Sequence, residues 1–304
     1  MKKVLFATTA LVASAGIASA EVAISGSAEM GIVGGDRYND TQFFQSVDVR
    51  FTMTGETDSG LTFGATIDLE DAVDTARTGA DLVDSRGFSD YTVFVSGSFG
   101  TLTMGDTDGA FDWAMRETNI VGGSIDDSET AHSGFNGNAG LDGVYDGQIV
   151  RYNYSFSGFA IAVSAELNDG GAGDPALGVG ATYSGDFGGV NMRVGFGYQS
   201  NSAFDIMGVS LSGSSAGFSA ALNYSDLDGY RGNESHMGIG VGYTMDAVSI
   251  GLNYGSYDRT VGADRDGYGL AVNYDLGGGA VVQFGYSDGS NNQSSFSLGL
   301  AMSF

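Results

Sequence analysis

The chain has 304 residues, of which 51 are Gly, one is Pro and none is Cys. Its 19 Phe and 15 Tyr argue against a disordered chain, because disorder goes with few aromatic residues. The lack of Cys excludes disulfides, thiol catalysis and Cys-ligated metal centres. With 12 basic and 37 acidic residues the formal charge is −25, which excludes nucleic acid as a partner because phosphate binding needs clustered Lys and Arg.

Residues 1–20 are predicted to be a cleaved secretory signal peptide. Lys2 and Lys3 precede an uncharged run that ends in Ala18-Ser19-Ala20, which is the order of such a peptide. The alternative is an N-terminal membrane anchor, but the run is rich in Ala, Ser and Thr and is weakly hydrophobic. The mature chain, residues 21–304, then carries ten Arg, no Lys and 37 acidic residues.

The mature sequence alternates between apolar and small polar residues, a pattern that predicts β-strands. In the last segment Phe296, Leu298 and Leu300 alternate with Ser and Gly. A soluble β-sandwich also alternates. Here, however, the polar face is mostly Gly, Ala, Ser and Asn, and Tyr and Phe lie near the strand ends, which favours a membrane barrel. After Glu21 no apolar run is long enough for a transmembrane helix.

Sixteen alternating segments predict an all-β fold, a 16-stranded antiparallel transmembrane β-barrel. The predicted strands are residues 22–32, 44–57, 61–72, 90–98, 101–105, 148–157, 159–168, 176–184, 190–200, 205–213, 218–226, 235–245, 248–257, 266–276, 280–288 and 294–304.

The connections alternate in length, which predicts their sides of the membrane. Short turns such as 58–60 and 246–247 are expected on the periplasmic side, and the long segments 73–89 and 106–147 on the other. An even number of strands places both termini in the periplasm. The amino group of Glu21 is then expected near the carboxylate of Phe304, with an ion pair if the register allows it.

Several stretches carry a resemblance to a known family: residues 21–26, 51–55, 58–65 and 99–106, and the terminal Phe304. On these the chain resembles the general diffusion porins of the Gram-negative outer membrane, most closely the alphaproteobacterial type, over its whole mature length. The resemblance implies a homotrimer in outer-membrane lipid, a third external loop folded inward to narrow each pore, and an assembly signal at Phe304. Barrels of this strand number hold an aqueous channel.

The sequence gives little support for catalysis or metal binding, so no enzyme activity and no required cofactor are expected. His132 and His236 are the only His residues, and a solvated or hydrogen-bonded structural His is the simpler explanation at either position. The acidic cluster Asp126, Asp127 and Glu129 is a candidate for Ca²⁺ or Mg²⁺, although it lacks EF-hand spacing and solvated loop charge is the simpler explanation. Divalent ions there would bridge the loops to anionic lipopolysaccharide.

The pore constriction is predicted where the 42-residue segment 106–147 meets the barrel wall. The first half of this segment contributes the acidic residues Asp106, Asp108, Asp112 and Glu117. Across the lumen, Arg50 is predicted to project inward from strand two, and Arg37 follows in the adjacent loop. Arg151 and Arg193 are also predicted to point inward by parity. Acids facing arginines would create a field across the pore that orients polar solutes. The alternative for Arg50 is an ion pair with Asp48 or Asp68 that only holds the wall.

These features predict a water-filled channel for passive diffusion of small hydrophilic solutes and ions, with a preference for cations because acids outnumber arginines. One alternative is a substrate-specific channel of the same fold, which would need aromatic residues and arginines along the lumen. Another is a structural or adhesin barrel with a plugged lumen.

Overall fold

The structure is a computed structural model that describes residues 21–36, 38–71, 90–120, 123–125, 148–168, 171–230, 232–290 and 294–304. The predicted signal peptide lies outside the described residues. So do Arg37, His132 and the candidate metal cluster of Asp126, Asp127 and Glu129.

Sixteen strands form the fold, and each begins and ends within two residues of its predicted bounds. They are β1 Glu21–Gly34, β2 Gln42–Glu56, β3 Thr62–Asp71, β4 Asp90–Gly97, β5 Gly100–Gly105, β6 Ile149–Phe156, β7 Phe159–Glu166, β8 Ala176–Asp186, β9 Asn191–Ser200, β10 Asp205–Ser215, β11 Phe218–Asp228, β12 Asn233–Met245, β13 Val248–Arg259, β14 Arg265–Gly277, β15 Ala280–Gly289 and β16 Ser295–Ser303.

The strands close into one antiparallel barrel in chain order, with β1 hydrogen-bonded to both β2 and β16. Closure removes the free edges that would otherwise pair with other chains. The final residue completes the seam, because Phe304 N donates to Gly26 O at 2.8 Å and Gly26 N donates to Phe304 O at 3.3 Å. The predicted pairing of the first and last strands is confirmed.

The register of this seam contradicts the expected ion pair between the termini. Glu21 stands opposite Thr54 in β2, whereas Phe304 bonds to Gly26, five residues further along β1. At about 3.3 Å per strand residue, the two termini are offset by roughly 17 Å. Such stagger is a requirement of barrel closure, and the period-two pattern carries no information about it.

The two faces of the wall differ as the alternation predicts. Apolar residues on the outer face, such as Val209, Ile239 and Leu252, are about half exposed, while inner-face neighbours such as Ser210 and Gly240 are buried. An apolar outer band with small polar groups inside is the arrangement of a barrel surrounded by lipid. The predicted inside and outside positions are therefore confirmed for these strands.

Aromatic rings form a belt at the end of the barrel that carries the short turns. Across β6 to the turn after β8, consecutive ring centroids of Tyr154, Phe156, Phe159, Tyr183 and Phe187 are 6.1, 5.7, 4.5 and 6.1 Å apart. Phe156 and Phe159 flank a two-residue turn. Rings at this level are typical of a membrane–water interface.

The described part of the chain contains one helix, α1 Ala110–Ala114, in the long segment after β5. The sequence pattern did not predict it, because five residues are too few to show a helical period. Asp112 in its first turn favours the helix by its position at the positive end of the dipole. None of the described helical residues forms a span long and apolar enough to cross a membrane.

Candidate functional site

The described residues after β5, 106–120 and 123–125, follow the inner face of the wall and are called the inner loop below. Near their start Ala110 N donates to Ser164 Oγ in β7 at 2.8 Å. Further on, Asn223 Nδ2 in β11 donates to Arg116 O at 2.9 Å. These wall residues alternate with lipid-facing residues along their strands. The inner loop therefore lies inside the barrel.

Glycines of the wall make room for this loop. A Cβ atom added to Gly180 in β8 would overlap the carbonyl oxygen of Ala110, and one added to Gly195 in β9 would overlap that of Ala114. At the far end of the loop, the side chain of Ile125 lies where a Cβ of Gly31 would be placed. Glycines on the inner face thus admit both the backbone of the loop and the side chain of Ile125.

Apolar packing holds the first part of the inner loop. Phe111 and Met115 are buried in a cluster with wall and rim residues. The other members of this cluster are Ala176, Phe204, Ile206, Leu227 and Tyr230. Full burial of a side chain of this size stabilises a structure by roughly 1.5–3 kcal/mol, so this cluster fixes the loop more strongly than any single hydrogen bond.

Two of the predicted pore arginines hold the loop itself. Arg151 Nη1 in β6 donates to Asp108 O at 2.6 Å and lies 3.6 Å from Asp108 Oδ2. Arg193 Nη2 in β9 donates to the carbonyl oxygens of Trp113 at 3.0 Å and Ala114 at 3.4 Å. Both arginines thus point inward, as parity predicts, and contact the loop from the wall beneath it. Their role at the constriction stays a prediction.

The four acidic loop residues share one short stretch but have different surroundings. Asp106 N donates to Tyr91 O at 3.0 Å where the chain leaves β5. The Asp108 carboxylate is half exposed beside Arg151. Asp112 lies in α1, and Glu117 follows it, both of them partly buried. Their proposed role in ion selection remains a prediction.

Arg50 and Asp68 form the charged pair on the other arc of the wall. Arg50 Nε in β2 lies 2.5 Å from Asp68 Oδ1 in β3, and Arg50 Nη2 lies 2.7 Å from Oδ2. The Arg50 side chain is 60% exposed. Its partner is one of the two alternatives that the sequence left open, whereas Asp48 accepts from Ser27 Oγ at 3.0 Å.

One charged residue of the inner wall was not predicted from the sequence. Glu166 at the end of β7 is fully buried, and Gln199 Nε2 in β9 donates to Glu166 Oε1 at 2.6 Å. A Cβ on Gly109 would overlap the same oxygen. A buried carboxylate is destabilising unless it is hydrogen-bonded, so Glu166 belongs to the seat of the loop. Its inward position by parity was the available signal.

No group of three or more His, Cys, Asp or Glu residues within the described ranges is placed to hold a metal ion. The predicted Ca²⁺ or Mg²⁺ cluster lies outside those ranges and stays a prediction.

The geometry defines the class of protein. A closed barrel of sixteen antiparallel strands, apolar outside and polar inside, is a transmembrane β-barrel, and this strand number leaves room for an aqueous channel.

Comparison with known proteins gives the same answer. Residues 7–294 match the family of Gram-negative porins. A porin of Rhodobacter capsulatus is 29% identical over 323 aligned residues, which cover 93% of this chain and 99% of the relative. A porin structure refined at 1.8 Å resolution has 27% identity and a TM-score of 0.72, over 93% of this chain and 100% of its own.

A triple mutant of Rhodopseudomonas blastica porin has a TM-score of 0.71 over the same shares of the two chains, and at 18% identity it shows likeness of fold alone. The family match covers most of the sequence. The chain belongs to the Gram-negative porin family and forms a porin channel of the outer membrane. The resemblance drawn from the sequence is confirmed.

Proposed function

We propose that the channel is a passive, non-catalytic path for small hydrophilic solutes and ions, narrowed between the inner loop and the wall of β2 and β3. The exposure of Arg50 carries this proposal. A guanidinium in the middle of a strand, on the inner face and with its side chain 60% exposed, lies in water. This observation supports an open lumen over the alternative of a plugged barrel.

The contacts of the arginines and the excess of acidic residues support a preference for cations. Arg151 and Arg193 contact the inner loop, and Arg50 is paired with Asp68. The mature chain has 37 acidic residues against ten Arg, so the field in the lumen is expected to be negative. A negative field raises the local concentration of cations.

The zero-current potential across a bilayer with a KCl gradient tests this preference. The wild-type channel should select K⁺, and a variant without the four loop carboxylates should select it less. That variant carries Asp106→Asn, Asp108→Asn, Asp112→Asn and Glu117→Gln. A control variant of equal charge carries Glu56→Gln, Asp58→Asn, Asp186→Asn and Asp246→Asn at the short-turn end. Anion selectivity of the wild type, or equal effects of the two variants, would contradict the proposal.

The orientation with both termini in the periplasm can be tested because the chain has no Cys. Val261, in a loop between β13 and β14, is 77% exposed, and Asp58 lies in a short turn. Val261→Cys should react in intact cells with a polyethylene-glycol maleimide that is too large to pass through the channel, and Asp58→Cys only in opened cells. The reverse pattern would invert the orientation.

A homotrimer is the proposed assembly, surrounded by outer-membrane lipid and lipopolysaccharide. The outer face of β1 supports it, because that strand presents small and aliphatic side chains and Met30, including Val22, Ile24 and Ala28, and no aromatic ring, whereas β6 to β8 carry the aromatic belt. A face without interfacial rings suits a protein contact better than the lipid boundary. Chemical cross-linking of the channel in membranes should give a trimer, and a monomer alone would count against this arrangement.

A further inference from the structure

A cavity of about 320 Å³ lies inside the barrel between the inner loop and strands β8 to β11. Arg116 from the loop and Arg193 from the wall line it, together with the wall residues Ser184, Ser212, Ser214 and Ser219. These serines lie within a few residues of the short turns, so the cavity opens on the turn side of the loop. We call it the arginine–serine pocket.

The charge of the pocket lining is positive, although the chain as a whole is strongly acidic. None of the described residues that line it is acidic, although acids outnumber basic residues by 37 to 12. Within the described part of the chain, neither Arg116 nor Arg193 forms an ion pair with a carboxylate. Two positive charges on one cavity repel each other, and an anion between them would relieve that repulsion.

The donors of the pocket remain available for a ligand. Arg193 uses Nη2 for the carbonyl oxygens of Trp113 and Ala114, which leaves Nε and Nη1 among its five N–H donors. The loop holds Arg193 in place through those bonds, and Arg116 is exposed. Guanidinium groups bind phosphate and carboxylate oxygens in pairs, and serine hydroxyls donate to the same oxygens.

We propose that the arginine–serine pocket transiently binds small dianionic solutes, either phosphate monoesters or dicarboxylates, during their passage. The pocket volume is at the lower end of the range of small-molecule sites, which fits a solute of a few carbon atoms. The inference rests on the proposed diffusion channel. The pocket would be a local binding site for anions in a lumen that otherwise favours cations.

Binding can be measured without any current through the pore. The chain has a single Trp, and Trp113 is the residue whose carbonyl accepts from Arg193. Titration of the detergent-solubilised protein with glycerol 3-phosphate and with succinate should change its Trp fluorescence and saturate in the millimolar range, and the two half-saturation concentrations separate phosphate esters from dicarboxylates. Glycerol at equal concentration should have no effect.

The variant Arg116→Gln should raise the half-saturation concentration about tenfold, because it removes charge-assisted hydrogen bonds. Arg265→Gln removes the same charge at the other end of the barrel and should leave binding unchanged. In a planar bilayer, glycerol 3-phosphate should reduce the K⁺ current through the wild-type channel at the concentrations that change fluorescence, and Arg116→Gln should relieve this block.

Three results would contradict binding of dianions in the pocket. They are no change of Trp fluorescence with either anion, equal affinity for glycerol, and unchanged affinity in Arg116→Gln. Saturable binding with no ion current in the bilayer would instead contradict the diffusion channel and leave the pocket standing. The two failures are therefore distinguishable.

Discussion

The carbonyl oxygen of Thr118 occupies the space that a Cβ atom of Gly240 would fill. Gly240 lies on the inner face of β12, so at this point the inner loop touches the backbone of the wall with no side chain between them. The same relationship joins Ala114 to Gly195 in β9. The small inner residues of these strands therefore have a specific task, which is to admit a loop into the lumen without widening the barrel.

Gly240→Ala should displace the inner loop and leave the barrel intact. The added methyl group would overlap the Thr118 carbonyl, and overpacking of this kind destabilises by about 1–3 kcal/mol. The loop will shift before the wall does, because β12 is hydrogen-bonded on both sides. Single-channel conductance should change, while the circular dichroism spectrum of the strands stays that of the wild type.

Gly213→Ala, on the outer face of β10, is the control for adding a methyl group to a wall glycine away from the inner loop. The nearest heavy atom to a Cβ at Gly213 is Val190 Cγ1 at 3.6 Å, an ordinary contact. This variant should conduct like the wild type. If both variants conduct normally, the loop contact at Gly240 does not shape the pore.

The Arg50–Asp68 pair predicts opposite changes in selectivity for its two members. Arg50→Gln leaves a carboxylate without its cross-strand partner and should strengthen K⁺ selectivity, whereas Asp68→Asn should weaken it. The zero-current potential in a KCl gradient measures both effects. The double variant restores the net charge of the wild type and should return close to its selectivity. Shifts in the same direction would show that these charges act through structure and not through the field.

The strands could be predicted from sequence because each wall residue faces one of two environments. Lipid selects residues such as Leu252 and Val209, the interior selects Ser210 and Gly240, and the alternation of side chains makes the choice visible in the sequence. Periodicity gives the same answer at every strand, which is why all sixteen were found.

The alternation could not predict which inner residues contact the inner loop and which face water. Parity places Arg193 and Asn253 on the inner face, but it does not distinguish a residue beside water from one beneath the loop. Asn253 is 7% exposed, and Arg193 bonds to loop carbonyls. That distinction depends on contacts between residues far apart in sequence, such as Arg193 with Trp113. The resemblance to porins implies that the third loop folds inward, but it does not identify the wall residues that the loop covers.

The side of the wall and the burial of a residue together predict where an added Arg is tolerated. Leu252→Arg places a charge on the outer face near the middle of β13 and should destabilise the folded barrel by about 2–4 kcal/mol. Alternation alone predicts that Arg is tolerated at Asn253, but the buried position makes it a poor control. Ser155, on the inner face of β6 and exposed, should accept Arg with little change. Urea unfolding in lipid vesicles measures both, and equal destabilisation would contradict the assignment of faces.

Phe304 allows the ring and the backbone of the last residue to be tested separately. Its N–H and carbonyl bond to Gly26, while its side chain is 79% exposed and adds little packing to the barrel. Phe304→Ala should keep the free energy of unfolding within about 0.5 kcal/mol of the wild type, yet reduce the amount of heat-modifiable barrel in outer membranes, because we expect the ring to be read during assembly.

Deletion of Phe304 should add a loss of stability to the loss of assembly, since it also removes the two backbone hydrogen bonds to Gly26. Phe43→Ala is the matched control, because that ring on β2 is 85% exposed and lies away from the C-terminus. It should assemble normally. Normal assembly of Phe304→Ala, or an equal loss in Phe43→Ala, would show that the terminal ring carries no signal and that Phe304 serves only to close the seam between β16 and β1.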